Sequence, residues 1–300
     1  MIDMSFANIS LMTSFPVLEI GSGSYKLHLK DKFNKKFQSS LGKGLHNSAL
    51  ADESLAIALD SFDNGIKPFL QEHNINVEDL LCFATAAVRV SMNDPNKSGE
   101  KFIDELKSRG IQELKVFSEE DECKYAAYAV IASLDKLNNY SILDSGGASH
   151  QLIEVSNSEL QLFKSFKIGS HTDLSKNKLP NLKEYKYKSQ ENLVILGTTG
   201  QILNHASLLK SSKNLAEDLY KLFTKLDSIG IAERKVFLEE LVEEPEIQKL
   251  FVDYRLAILP QAIQIIHNVV AQLEVKNIYS SDDEAIHYIS KHGFKETLIT

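Results

Sequence analysis

Two short stretches carry residue types suited to handling phosphate. The apolar run Val17-Leu18-Glu19-Ile20 ends in Gly21-Ser22-Gly23-Ser24, and Tyr140-Ser141-Ile142-Leu143-Asp144 ends in Ser145-Gly146-Gly147-Ala148-Ser149. Glycine has no Cβ and can take up positive φ, so such turns let backbone N–H groups approach an anion closely. Serine hydroxyls add donors. The carboxylate of Glu19 or Asp144, at the mouth of each turn, could hold Mg²⁺ directly or through water, and the metal would offset phosphate charge. One Gly/Ser turn is an ordinary hairpin tip. Two of them, each led by an acid and each opening a half of the chain, point to two lobes that bind phosphate.

Around each turn the pattern reads as strand, tight turn, strand, with alternation resuming in Tyr25-Lys26-Leu27-His28-Leu29-Lys30 and in Gln151-Leu152-Ile153-Glu154-Val155. The two units lie about 125 residues apart, a weak internal repeat. Residues 51–73 have helical apolar spacing, and Pro95–Arg109 predicts a second helix closed by Gly110. Leu81-Cys82-Phe83-Ala84-Thr85 reads as a buried strand and Leu114-Lys115-Val116-Phe117 as another. Ser118 is a good N-cap for a helix whose first turn, Glu119-Glu120-Asp121, is acidic as the helix dipole favours. Asn138-Asn139 marks the junction, which predicts domains at 1–137 and 138–300, with the last helix free to pack on the first. In the second domain, 193–196 and 275–281 read as strands, and 251–273 as a long helix around an awkward Pro260.

The chain has 300 residues, 33 basic and 41 acidic, for a net charge of −8. Such a chain is a poor non-specific binder of nucleic acid polymers or anionic membranes, so any anionic substrate must be met locally. Lysines 26, 30, 32, 35, 36 and 43 and a second set between 164 and 188 could guide a polyanion, although a solvated edge strand is the plainer reading of the first set. Two cysteines, Cys82 and Cys123, supply neither a disulfide framework nor a four-cysteine zinc site, and they fit a reducing, cytoplasmic setting. No run reads as a membrane span or a signal peptide. His150, beside the second turn, is expected at the surface.

Six segments in order resemble the exopolyphosphatase / guanosine pentaphosphate phosphatase (Ppx/GppA) family of the actin, Hsp70 and sugar-kinase superfamily. Glu19-Ile-Gly-Ser-Gly-Ser24 is similar to the family's first phosphate loop, D-x-G-S-N-S, and Gly42-Lys-Gly-Leu45 to its G-x-G-L segment. Ala84-Thr-Ala-Ala-Val-Arg89 resembles A-T-x-A-x-R, expected at a strand end, and 117–125 resembles the segment around S-G-x-E-E-A-R. Asp144-Ser-Gly-Gly-Ala-Ser-His-Gln151 resembles the second loop, D-I-G-G-G-S-T-E, and Leu196-Gly-Thr-Thr-Gly200 a third glycine-rich turn.

The resemblance implies an α/β fold of two ribonuclease-H-like lobes with a cleft between them. It implies Mg²⁺-dependent phosphoanhydride hydrolysis, releasing terminal phosphate from polyphosphate or guanosine pentaphosphate. Carried over by position, Glu122 is the candidate general base. Arg89 is a phosphate ligand, and Gln151 takes the place of an active-centre Glu. Gly21, Ser22, Gly23, Ser24, Gly146, Gly147, Ala148 and Ser149 would donate to phosphate, and Glu19 and Asp144 would assist the metal. A homodimer is compatible with the fold.

The departures lie in the same motifs. Glu19 replaces Asp, Gly23 replaces Asn, Ala148 replaces Gly and Gln151 replaces Glu, while 281–285 lacks an R-E-G signature. An amide cannot supply the negative charge of the carboxylate it replaces. Exopolyphosphatase is the first expectation, on a chain that covers the two core lobes. The alternatives are a non-catalytic or weakly catalytic binder of polyphosphate or of guanosine penta- or tetraphosphate, and a guanosine pentaphosphate phosphatase. An actin-like ATPase or sugar kinase is disfavoured by the 118–124 segment.

Overall fold

The computed structural model describes residues 14–29, 33–43, 49–134, 137–146, 149–170, 174, 177–210, 212–281 and 285–294. Its contacts divide the chain into two units, Met1–Val116 with Ile286–Thr300, and Phe117–Ala285.

The first unit holds β1 (Val17–Ile20), β2 (Ser24–Leu29), β3 (Phe33–Gln38), α1 (Asp52–Ser61), α2 (Lys67–Glu72), β4 (Leu81–Ala84), α3 (Ala86–Ser91), α4 (Ser98–Ser108) and β5 (Glu113–Val116). The sheet order is β3-β2-β1-β4-β5; β1, β2 and β3 are antiparallel neighbours, and β4 and β5 run parallel to β1. Strand alternation sends Leu18, Ile20, Tyr25, Leu27, Cys82 and Ala84 into one core with Phe62, Ile66, Leu70 and Phe102. The stretch read as one helix over 51–73 is α1 and α2 joined by a π-helical turn at Phe62–Ile66, which keeps both Phe62 and Ile66 buried.

The second unit holds α5 (Glu119–Ser133), β6 (Asn139–Ser145), β7 (His150–Ser156), β8 (Glu159–Phe166), β9 (Asn192–Leu196), α6 (Gly197–His205), α7 (Ser207–Lys210), α8 (Leu215–Asp227), α9 (Ile231–Leu241), α10 (Pro245–Gln248), α11 (Asp253–Leu273) and β10 (Asn277–Ser281). Its sheet order, β8-β7-β6-β9-β10, repeats that of the first unit with the same strand directions. Here both faces are covered. Leu143, Leu152, Leu193 and Ile195 pack against α6, α8 and α11. Ile142, Ile153, Val155 and Val194 pack against Cys123, Ala126, Ala127 and Val130 of α5. The junction expected at 137/138 therefore falls inside the second unit, since α5 packs on the second sheet. The last described helix is α12 (Ala285–His292), whose Ser290 carbonyl accepts from the Phe15 N–H at 2.7 Å and whose His287 ring meets His28 of β2 at 4.9 Å.

By length and composition α11 could cross a membrane, which the sequence reading did not anticipate. Its Leu256, Leu259, Ile263, Ile266, Val269, Val270 and Leu273 are buried in the core of the second unit. Pro260 is accommodated inside it.

Asp94 organises the approach to α4. Its carboxylate accepts from the Ser98 hydroxyl, the Ser98 N–H at 2.8 Å and the Asn96 N–H at 2.6 Å. These bonds, the Ser98 hydroxyl first, hold its pKa below the ordinary carboxylate value. A depressed native pKa adds stability above the unfolded value of about 4, and that stability is lost as pH falls through the native value. Asp94→Asn is therefore expected to lower the unfolding midpoint at neutral pH, with a deficit that shrinks as the solution is acidified below about pH 4. A deficit independent of pH in urea titrations would show that the charge is not responsible.

Candidate phosphate-binding loops

The first loop is a two-residue hairpin tip. The Gly21 N–H donates to the Ser24 carbonyl at 3.0 Å, and β1 and β2 continue in register below it, with Ile20 opposite Tyr25 and Glu19 opposite Lys26. The second loop has the same frame. The Gly146 N–H donates to the Ser149 carbonyl at 2.9 Å, with Ser145 opposite His150 and Asp144 opposite Gln151. Gly147 and Ala148, expected to donate to phosphate, lie outside the described residues, as do Gly44 and Leu45 of the G-x-G-L segment and residues 282–284.

Each tip is tied down by a serine that follows the edge strand. Ser39 Oγ donates to the Gly21 carbonyl at 2.7 Å, while the N–H groups of Ser39 and Ser40 reach the Gly23 carbonyl at 3.2 and 3.3 Å. In the second unit Ser170 donates to the Gly146 carbonyl through its N–H at 3.0 Å and its Oγ at 3.4 Å. Sequence reading missed both serines, because each is a single polar residue with no motif around it. The Gly42 N–H also holds the Ser22 carbonyl at 2.7 Å, which gives the G-x-G-L segment a structural task.

The described turn glycines do not take up the positive φ expected of them. Gly21, Gly23 and Gly146 are absent from the positive-φ positions, which among the described glycines are Gly110, Gly197 and Gly293. What Gly21 and Gly146 supply is space: a Cβ would lie 2.9 Å from the Ser24 carbonyl oxygen at Gly21 and 3.1 Å from that of Ser149 at Gly146. Gly23 is exposed and a Cβ there would meet nothing within 4 Å.

The acids leading the two loops have different company. Glu19 sits on the sheet face opposite the main core of its unit and forms an ion pair with Lys26 Nζ at 3.3 Å. Lys26 in turn lies opposite Lys36 on β3, so Glu19, Lys26 and Lys36 form one row across three strands. Asp144 faces the neutral Gln151, which is buried and donates through Nε2 to Ser149 Oγ at 3.2 Å and Ser165 Oγ at 3.5 Å. Strand alternation from Ile142 and Ile153 puts Asp144 and Gln151 on the face that α5 covers. Glu122 lies on that helix, half-buried, with its N–H donating to the Ser118 carbonyl at 3.1 Å. The acids around it have other duties: Asp121 completes a capping box with Ser118, and Glu120 pairs with Lys124 at 2.6 Å. The structure thus assembles Glu122's helix, Asp144, Gln151 and Ser149 in one unit, where the sequence division had placed Glu122 with the first loop.

Arg89, expected at a strand end, is on α3. The strand stops at Ala84, the Thr85 N–H donates to the Ile20 carbonyl at 3.1 Å where the first loop begins, and the helix-favouring pair Ala86-Ala87 starts α3. Arg89 is half-buried one turn in, its N–H on the Thr85 carbonyl at 3.0 Å.

His150, expected at the surface, is fully buried and stacks on Phe166 at 4.9 Å. Its Nδ1 contacts the Ile168 carbonyl at 2.6 Å, a contact that requires Nδ1 to carry the proton. Burial pushes its pKa down, keeping the ring neutral. Among the described residues no group of three or more His, Cys, Asp or Glu side chains could hold a metal by itself. A single carboxylate with substrate oxygens and water is the usual setting for Mg²⁺. Asp144, with the neutral Gln151 opposite, fits that setting. Glu19 fits it less well, because the Lys26 ammonium is already beside it.

No curated protein matches the sequence. Solved structures do match. The crystal structure of an exopolyphosphatase from Cytophaga hutchinsonii is similar with a TM-score of 0.70 at 18% identity, over 94% of this chain and 98% of that one. A Ppx/GppA phosphatase from Aquifex aeolicus gives a TM-score of 0.65 at 20% identity, over 93% and 98% of the two chains. At these identities the likeness is one of fold, and it agrees with the two α/β units expected from the sequence. The model of the Ppx/GppA phosphatase family matches residues 17–178, more than half of the chain and a stretch that includes both hairpins, and the chain therefore belongs to that family.

Proposed function

We propose that this protein is a phosphoanhydride hydrolase that releases the terminal phosphate of inorganic polyphosphate. The observation that carries the reading is the matched pair of hairpins: the same glycine-to-serine hydrogen bond and serine tether at the same place in two sheets of the same order. Ser22, Ser24 and Ser149 bring hydroxyl donors to these tips, and Arg89 follows the strand beside the first of them. The row of Lys26 and Lys36 adds cationic charge that suits a polyanion despite the net charge of −8.

In the proposed reaction Glu122 takes a proton from a water whose oxygen attacks the terminal phosphorus. The bridging P–O bond breaks, and the shortened chain leaves with the bonding electron pair on its oxygen. The donors at the tips stabilise charge on the phosphoryl oxygens. Mg²⁺ is part of the proposal: Asp144 would hold it, with Gln151 contributing at most a neutral amide oxygen, and its chemistry there is neutralisation of phosphate charge. Lys26 does a related task for Glu19 in the first unit.

Lys26→Met removes that cation together with its ion pair to Glu19. It is expected to raise the KM for polyphosphate by about tenfold, the scale of one charge-assisted hydrogen bond. Initial-rate kinetics check this; a KM within about twofold of wild type removes Lys26 from substrate binding.

A second reading, a binder with little or no turnover, is favoured by the neutral, buried Gln151 and by the Glu19–Lys26 ion pair. Phosphate release from long-chain polyphosphate with Mg²⁺, run beside guanosine pentaphosphate, separates the readings. Release from polyphosphate supports the hydrolase. Release from guanosine pentaphosphate alone overturns the substrate. Binding of either ligand without release establishes the binder.

A further inference from the structure

The second sheet has a hollow at the end away from its Gly/Ser turn, where β6 begins and β7 finishes. It has an open volume of about 570 Å³, and its walls include Glu154, Gln190, Asn139, Glu191, Lys188 and Leu137. Glu154 is only 3% exposed. Its carboxylate accepts one long hydrogen bond, from the Lys188 N–H at 3.4 Å, and among the described residues no cation pairs with it. Gln190 is 8% exposed; its N–H donates to the Leu273 carbonyl at 3.0 Å, and its side-chain amide bonds to no described residue.

A buried carboxylate with so little compensation is costly unless a positive group or a set of donors meets it. The amides on the opposite wall are already fixed. Asn139 Oδ1 accepts from Ser156 Oγ at 2.7 Å, and Asn192 donates to the Asn139 carbonyl at 3.3 Å and accepts from Asn277 at 3.0 Å. Glu191 is engaged by Lys276. Glu154 and Gln190 thus remain as two deeply buried polar groups with unused capacity on one cavity.

We propose that this hollow binds a small organic cation through a primary ammonium held between Glu154 and the Gln190 side-chain oxygen. An ammonium offers three donors and no acceptor, which suits these two acceptors. The volume lies within the roughly 300–1,000 Å³ range of small-molecule sites and is far larger than a bare ion needs. The wall holds two carboxylates, Glu154 and Glu191, against one ammonium, that of the exposed Lys188, which pairs with neither, so its charge favours a cation over phosphate. Leu137 supplies an apolar contact for an alkyl stem.

The test is calorimetric titration of the intact protein with n-butylamine, against n-butanol and butyrate as uncharged and anionic counterparts and magnesium chloride as an inorganic cation. Saturable binding of butylamine is expected, with a Kd near or below about 1 mM, and no uptake of the two counterparts. Glu154→Gln, nearly isosteric, is expected to weaken butylamine by about tenfold or more. Equal binding of butanol, unchanged affinity in Glu154→Gln, or Mg²⁺ uptake that Glu154→Gln abolishes in the absence of amine binding would each overturn the proposal. Should that variant fail to fold, Gln190→Met, which removes the amide oxygen at nearly constant volume, decides: retained affinity overturns the proposal and lost affinity supports it. No polyphosphate is present in these titrations, so the result is independent of the hydrolase reading.

Discussion

Glu122→Gln is expected to lower the rate of phosphate release from polyphosphate by about 10²–10⁴-fold, the usual contribution of a positioned general base. The amide keeps the shape of the side chain but cannot accept the proton that the attacking water gives up. Two of its neighbours have structural duties: Asp121 caps α5 and Glu120 pairs with Lys124. Its position is set by Cys123, Ala126, Ala127 and Val130, which fix α5 to the sheet face that carries Asp144 and Gln151. Polyphosphate affinity in the variant should stay near that of the wild type, because a base that contacts water contributes little to ground-state binding. Glu120→Gln is the matching control; losing one exposed ion pair should change the rate by less than about twofold. The pair of variants distinguishes a specific base from a general effect of acid at a helix start. A Glu122→Gln rate within about tenfold of wild type would remove Glu122 as the base and leave the hydrolase reading without one.

The positions of the two hairpins were legible in the sequence because a Gly/Ser cluster after an apolar run has few other readings. The Glu19–Lys26 and Asp144–Gln151 pairings were implicit as well. A two-residue tip with Gly21 opposite Ser24 fixes every pair below it, and the same holds for Gly146 and Ser149. The side taken by α5 was not legible. An apolar stripe of Cys123, Ala126, Ala127 and Val130 shows that a helix packs, but the choice of sheet is a tertiary matter. The helix following β4 was hidden because Ala84-Thr85-Ala86-Ala87-Val88 continues an apolar run without a break, and only the Thr85 contact to Ile20 shows where the strand stops. The tethers by Ser39 and Ser170 come from residues distant in sequence from the turns they hold, so no local pattern announces them. The glycines were read for conformational freedom, whereas Gly21 and Gly146 are used for room.

Room is the whole case for Gly200, the last residue of the third glycine-rich turn. Helix α6 starts directly after β9, and at Gly200 its backbone lies so close to the strand that a Cβ would sit 2.3 Å from the Ile195 carbonyl oxygen and 2.9 Å from its carbon. Those atoms belong to the strand backbone, which cannot swing aside as a side-chain end could. Gly200→Ala must therefore lift α6 off β9, disturbing Ile202 and Leu203, which α6 buries in the core of the second unit. The expected cost is about 3 kcal/mol, the upper part of the range for overpacking. For a unit of this size that corresponds to a fall of about 10 °C in the unfolding midpoint. Alanine favours helix over glycine by about 1 kcal/mol, so propensity alone would predict the opposite sign. Gly23→Ala is the informative companion, since a Cβ there meets nothing within 4 Å and its φ is not positive. It should leave the unfolding free energy within about 0.5 kcal/mol of wild type. If Gly200→Ala melted at or above the wild-type temperature, α6 would have to sit farther from β9 than this geometry places it, and the third turn would be a propensity feature instead of a packing one.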